Sequence, residues 1–296
     1  MSAMELERIA AFRASFARRQ AAVVLEVSGG VVVLDPRFRG SHEHNQLVVD
    51  GTPDVSALPD LAEEVLGHLP HRQITVLDDT VGEACAPALA AAGYSHESEL
   101  VMTYAGPPTY AGPPTAAGSP AARPSPGVQV PAAAATAPAA ATAPAAPVPP
   151  AAPVPPAETV APAELRDALL RQLRVWMPQA GDDVIGQLAD RREARTRGAD
   201  QVRFLAVRDE SGVVGSWADL YLDTDREIAQ IEDLVTADSH RRRGYADTVL
   251  ATALWHASGR GLVFLLADPD DWPRTWYARR GFSPAGRSHV FTRTAR

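Results

Sequence analysis

Ile228-Ala229-Gln230-Ile231-Glu232-Asp233-Leu234-Val235-Thr236, then Ala237-Asp238-Ser239-His240, then Arg241-Arg242-Arg243-Gly244-Tyr245-Ala246 and Val249-Leu250-Ala251, is an apolar run, a polar turn, an arginine-rich loop and a second apolar run in direct succession. The first run has the aliphatic content of a strand, and the last fits a buried helix. A strand, loop and helix start in this order expose free backbone N–H groups along a helix dipole, an arrangement suited to a diphosphate. Gly244 lets the backbone come close, and Ala246 keeps the helix start small. The guanidinium groups of Arg241, Arg242 and Arg243 can neutralise phosphate charge. An arginine run is also what a solvated basic patch looks like; the glycine, the alanine and the flanking strand and helix favour the phosphate site.

Working outward, the preceding residues predict a helix over 163–176, with Leu165, Leu169, Leu173 and Trp176 on one face, and a second helix over 183–195. Strands follow at 202–207, 213–222 and 228–235, separated by acidic turns. After the arginine loop come a helix to about residue 258, a buried strand at 262–266, a helix at 272–280 and a closing strand at 289–292. The plan for 161–296 is α+β, a mixed central sheet of about six or seven strands flanked by helices.

The closing helix carries Trp276-Tyr277-Ala278-Arg279-Arg280-Gly281-Phe282. With the strand and the arginine loop, this segment makes residues 161–296 resemble the GNAT superfamily of acetyltransferases. That family's diphosphate loop reads Arg/Gln-x-x-Gly-x-Gly/Ala, and its later Tyr-x-x-x-Gly-Phe segment matches Tyr277 to Phe282. The resemblance implies acetyl-CoA as cosubstrate, no metal, and direct transfer of the acetyl group to an amine. The loop Arg241, Arg242, Arg243, Gly244, Tyr245 and Ala246 would take the diphosphate. The backbone of Leu234, Val235 and Thr236 would pair with the pantetheine arm, and Tyr277 would protonate the departing thiolate. Transfer to an alkyl amine, with a pKa of about 10.4, also needs a base. Glu232 is the candidate, because strand alternation puts it on the face of Gln230 and Leu234 and turns Asp233 the other way. Two positions depart from the family pattern. Gln230 stands where some members have an acidic residue, and Asp268 stands near an asparagine that contacts the CoA arm; an ionised Asp268 accepts a hydrogen bond but cannot donate one. These departures leave open an alternative, a non-catalytic acyl-CoA-binding regulatory or scaffold protein. The acceptor, small molecule or protein, is not legible.

Between 105 and about 158 lie 16 of the chain's 26 prolines, interspersed with alanine. Such a segment is expected to be an extended, disordered linker, giving the division 1–104, 105–160 and 161–296. The first unit predicts a smaller α+β domain: a helix at 5–19, strands at 22–27, 31–34 and 46–49, a helix at 58–69, a strand at 73–77, a helix at 82–92 and a strand at 100–104. Its strand, helix, Gly93-Tyr94-Ser95 and final strand parallel the end of the C-terminal unit, ending in Gly281-Phe282-Ser283. The unit therefore looks like a degenerate repeat, similar to the inactive half of tandem acetyltransferases. It has no counterpart of the arginine loop, since Asp50-Gly51-Thr52-Pro53-Asp54 follows its third strand.

Composition narrows the remaining classes. The chain of 296 residues has a net charge of −8, and neither half is basic, so a nucleic-acid partner lacks its electrostatic footprint. It contains no lysine, which excludes lysine autoacylation. Cys85 is its single cysteine, expected to be a small core residue. His42 and His44, taken as alternating on a strand, and His68 and His71 match no specific zinc spacing. No apolar run reaches the roughly 18 residues of a membrane helix, so the expectation is a cytoplasmic protein with no membrane partner.

Overall fold

The computed structural model describes residues 3–106 and 154–294. Most of the expected linker lies outside the described residues. The N-terminal half is α1 (Ala3–Gln20), β1 (Val23–Val27), β2 (Gly30–Leu34), β3 (Gln46–Val49), α2 (Leu58–Leu66), β4 (His71–Val76), α3 (Asp79–Ala91) and β5 (Ser95–Tyr104). The C-terminal half is β6 (Glu158–Val160), α4 (Pro162–Trp176), α5 (Asp182–Asp190), α6 (Arg192–Arg195), β7 (Gln201–Arg208), β8 (Val214–Asp223), β9 (Ile228–Thr236), α7 (Tyr245–His256), β10 (Leu262–Ala267), α8 (Pro273–Ala278) and β11 (Phe282–Thr294).

Local chemistry explains the element boundaries. Gly29, at φ 78°, makes the turn between β1 and β2. The Asp78 carboxylate accepts from the Val81 N–H at 2.9 Å and caps α3. Glu164 reaches back to the Ala161 N–H at 2.8 Å and closes the start of α4. Prolines occupy the first turns of α2, α4 and α8, where a missing N–H costs nothing. The single helix expected over 183–195 is interrupted at Arg191, giving α5 and α6. His42 and His44 lie in a turn before β3 rather than on a strand.

All the strands of the described residues belong to one sheet, in the order β1-β2-β3-β4-β11-β5-β10-β9-β8-β7-β6. The C-terminal half alone supplies six of its eleven strands. The order is nearly palindromic: parallel β3 and β4 on one side mirror parallel β9 and β10 on the other. At the centre the halves have exchanged their last strands. β5 runs antiparallel between β10 and β11, and β11 runs antiparallel between β5 and β4. The repeat seen in sequence is thus a repeat of topology, with each half completing the other's sheet.

Alternation along the strands divides the core between two faces. On one face α7 and α8 cover Leu205, Leu220, Ile231, Leu265 and Met102, while α2 and α3 cover Val32, Leu47, Ile74 and Phe291. Cys85 is buried there in α3, as a small core residue. On the other face α4 and α5 cover Phe204, Ala206 and Trp217. α1 crosses the middle of that face, placing Phe12 and Phe16 against Tyr221, Phe264 and Ile228 of the C-terminal half, and Ala14 and Ala17 against Val31, Val33 and Val48 of its own. A helix packed on both halves opposes their separation.

Candidate active site

β9 organises the site. On one side it pairs with β8 from Ile228↔Asp223 to Thr236↔Ser216. On the other it pairs with β10 only as far as Ile231↔Leu265, while β10 continues alongside β5 to Ala267. From Glu232 onward, β9 and β10 part and leave an unpaired strand edge.

A bulge sits at the same place. Asp219 faces Glu232 and Trp217 faces Val235, so Asp233 and Leu234 together oppose the single residue Ala218. Asp233 adopts φ 49°, which costs an L-residue roughly 1–2 kcal/mol. Its carboxylate is held at 2.9 Å by Arg192 and at 2.6 Å by Arg195, and Asp219, fully buried, binds the same two arginines at 2.9 and 2.6 Å. This ion cluster is what the bulge is tied to.

The bulge corrects the alternation expected from sequence. Glu232 and Asp233 both line a central cavity of about 230 Å³ beneath α1, together with Gln230. Leu234, Val235 and Thr236 instead line a separate cleft of about 720 Å³. Leu234 therefore does not share the side of Glu232, because one positive-φ residue shifts the alternation between them.

The cleft follows the unpaired edge of β9 to the start of α7. Arg242 at φ 62° and Gly244 at φ 82° turn the loop so that Gly244 becomes the N-cap of α7, with no side chain capping the helix. The first N–H groups of a twelve-residue helix are then left to an outside acceptor. Arg241, Arg242, Gly244 and Ala246 line the cleft, Arg241 being tied to Asp238 at 2.7 Å. The Tyr245 ring is buried and packs edge-on against His240. Arg243 is exposed and is not among the cleft-lining residues. Neither is Asp268, which is exposed and accepts from the Asp270 N–H at 2.8 Å.

Tyr277 lines the far end of the cleft, between Trp276 at 5.2 Å and Phe282 at 5.8 Å. Burial, followed by the negative charges of Glu232 and Asp233, raises its pKa well above 10, so the hydroxyl keeps its proton at neutral pH. Arg280 stacks over Trp276 at 3.7 Å and pairs with Asp247, bracing α8 against α7. Glu232 accepts from Gln230. Burial and the neighbouring Asp233 push its pKa up to about 8, against the pull of Arg195.

Several contributors were not identified from sequence. His240 anchors the loop by binding Asp209 at 3.0 Å and Ser239 at 2.9 Å, and its ring fills the space a side chain at Gly215 would need. Trp176, expected on the buried face of its helix, is 54% exposed and lines the cleft with Trp272, 67% exposed. A tryptophan at a helix end carries no sequence signal that separates core from cleft. Among the described residues, no group of three or more His, Cys, Asp or Glu could hold a metal ion, and no helix is long and apolar enough to cross a membrane.

A splayed parallel strand pair, an open helix start after an arginine loop, and a buried tyrosine at the opposite end coincide with a family match. Residues 164–282 match the Acetyltransferase (GNAT) family. This segment is a GNAT-family domain. Of the GNAT residues discussed, all from Glu232 to Phe282 fall inside it. No curated protein matches the sequence. Among solved structures, a functionally unknown conserved protein from Staphylococcus epidermidis ATCC 12228 is similar over 94% of this chain and 96% of its own, with 12% identity and a TM-score of 0.62. A GCN5-related N-acetyltransferase from Kribbella flavida is similar over 98% of this chain and 96% of its own, with 16% identity and a TM-score of 0.57. Both likenesses take in the two halves, so the two-half fold as a whole has counterparts.

Proposed function

We propose that the chain transfers an acetyl group from acetyl-CoA to an amine by direct attack of the amine nitrogen on the thioester carbonyl. The observation that carries this reading is the pair of spaces that approach one another across β9. Asp233 lines the central cavity, the next residue Leu234 lines the cleft, and a carboxyl of raised pKa and a protonated tyrosine stand on either side.

The cleft fits acetyl-CoA. The uncapped start of α7, with Arg241 and Arg242, would hold the diphosphate, and the unpaired edge of Leu234, Val235 and Thr236 offers peptide groups to the amides of the pantetheine arm. Glu232, when ionised, takes a proton from the incoming ammonium or amine, directly or through one water. The N–C bond forms as the C–S bond breaks, a nitrogen that arrived as ammonium sheds its second surplus proton to solvent, and the Tyr277 hydroxyl gives its proton to the leaving sulfur. Solvent then restores both groups. Gln230 in a position that some relatives fill with an acid leaves Glu232 as the carboxyl nearest the parting of the strands.

Calorimetry on the full chain with acetyl-CoA, followed by free-thiol release on adding a primary amine, tests the proposal. Micromolar binding and amine-dependent release are expected. Tight binding without release would identify a non-catalytic acyl-CoA module, and no binding would remove the cleft from the argument.

A further inference from the structure

The central cavity is built by both halves. α1 roofs it with Arg13, Phe16, Ala17 and Gln20; the N-terminal strands bring Gln46, Gln73 and Thr75; the C-terminal half brings Gln230, Glu232 and Asp233. Gln20 is only 2% exposed, and its amide donates to Glu43 at 3.3 Å. Among the described residues its Oε1 has no hydrogen-bond partner, and neither does the buried Nε of Arg191, which also lines the cavity. A buried acceptor and a buried donor left unpaired are each unfavourable. Their presence in one cavity points to a ligand that supplies the missing partners.

The charges point the same way. Glu43 is paired with Arg195 at 2.5 Å, Asp233 with Arg195 at 2.6 Å and Glu99 with Arg13 at 2.8 Å. Among the described residues, Glu232 alone of the cavity's carboxyls has no guanidinium within ion-pair distance and is bonded only to the neutral amide of Gln230. An ammonium group entering the cavity would supply its counter-charge. A hydroxyl beside that ammonium would donate to Gln20 Oε1 and accept from Arg191 Nε. The volume of about 230 Å³ equals about eight waters at ~30 Å³ each, and α1 lies across the face.

We propose that this cavity is the acceptor site, that it takes a small primary amine carrying hydroxyl groups, and that the N-terminal half supplies substrate recognition through Gln20 and Gln73. This rests on the acyl-transfer reading above. Gln20→Leu also removes the amide's bond to Glu43, so urea unfolding is measured beside it, and a raised KM with stability and acetyl-CoA affinity kept separates recognition from a structural role.

Free-thiol release by the full chain with acetyl-CoA is measured for ethanolamine, serinol and glucosamine, and for peptides with a free N-terminal amine or a lysine. At least one of the three small amines is expected to be turned over in preference to both peptides. For that amine, Gln20→Leu and Gln73→Leu should each raise KM roughly tenfold, the loss of a hydrogen bond to a charged or buried partner, with kcat and the acetyl-CoA Kd within about twofold of wild type. Acetyl-CoA binding with turnover of the peptides alone overturns this assignment and leaves the transfer reading standing. So does an unchanged KM in both variants, or a loss of acetyl-CoA affinity equal to the change in KM. No acetyl-CoA binding, or binding with no release from any amine, overturns the transfer reading and the cavity's role with it.

Discussion

Replacing Glu232 with glutamine tests the proton economy of the site. With a pKa of about 8, only about one Glu232 carboxyl in eleven is ionised at pH 7, and about nine in ten at pH 9. If the ionised form is the base, kcat/KM rises roughly tenfold between these pH values with a slope of one in log units, then levels off. Hydroxylated amines titrate below the alkyl value of about 10.4, so the acceptor's own limb is measured separately by titration and divided out. Glu232→Gln keeps the side-chain shape and the contact with Gln230, removes the limb, and lowers the plateau by about 10²–10⁴, the usual contribution of general acid–base catalysis. The assay is thiol release at subsaturating amine from pH 6 to 9.5. A limb that survives in Glu232→Gln would assign it to another group; a flat wild-type profile would refute the raised pKa or the role.

Stability gives an independent readout of the same shift. Glu232 has a folded-state pKa above its ordinary value of 4.5. Its contribution is therefore fully present below about pH 4.5 and is lost as pH rises through about 8. Thermal unfolding of the wild type should show a Tm that declines between about pH 5 and 8 and levels off above it, a decline that Glu232→Gln flattens. An identical pH dependence in the two proteins would mean that the carboxyl is not held neutral by burial and Asp233.

Gly244→Glu should abolish acetyl-CoA binding measured by calorimetry, while Gly244→Ala, which carries the same positive-φ strain of roughly 1–2 kcal/mol without the charge, should fold and retain measurable binding. Tyr277→Phe should lower kcat about 10²–10⁴-fold where chemistry limits the rate, with the acetyl-CoA Kd unchanged, because the ring still packs between Trp276 and Phe282. Asp219→Ala leaves Arg192 and Arg195 short of a buried partner and should cost roughly 3–5 kcal/mol by urea unfolding. Residues 1–106 and 154–296 co-expressed as two chains should co-purify, and 154–296 expressed alone should aggregate, since it lacks the strand between β10 and β11.

The elements that could be read from sequence are those whose own residues carry the signal. β9, α7 and β10 show continuous apolar content, and the arginine loop shows its glycine. β6 went unread because Glu158-Thr159-Val160 has one buried residue and directly follows the proline-rich run. The first half of β5, Ser95-His96-Glu97-Ser98-Glu99, is polar and becomes a strand only because β11 pairs with it from Thr292↔Ser95 to Ser288↔Glu99. β11 in turn starts with Phe282-Ser283-Pro284-Ala285-Gly286, which looks like a loop and is a strand with a bulge between Pro284 and Gly286. Both cases are central strands made by long-range pairing, where propensity is weakest as a guide.

The site divides in the same way. Residue types at the loop and at Tyr277 were legible because local spacing determines them. The surroundings of Glu232 were not, because they depend on partners far away in sequence. Arg192 and Arg195 hold Asp233 in the bulge from about 40 residues upstream, and that single departure from alternation sends Glu232 and Leu234 into different spaces. Arg195 also binds Glu43 of the N-terminal half at 2.5 Å. One guanidinium thus binds both Asp233, which forms the bulge beside Glu232, the proposed base, and Glu43 of the other half. Any change that loosens the docking of the halves must then disturb the bulge, so the aim of Glu232 and the integrity of the exchanged sheet are coupled through the same ion cluster.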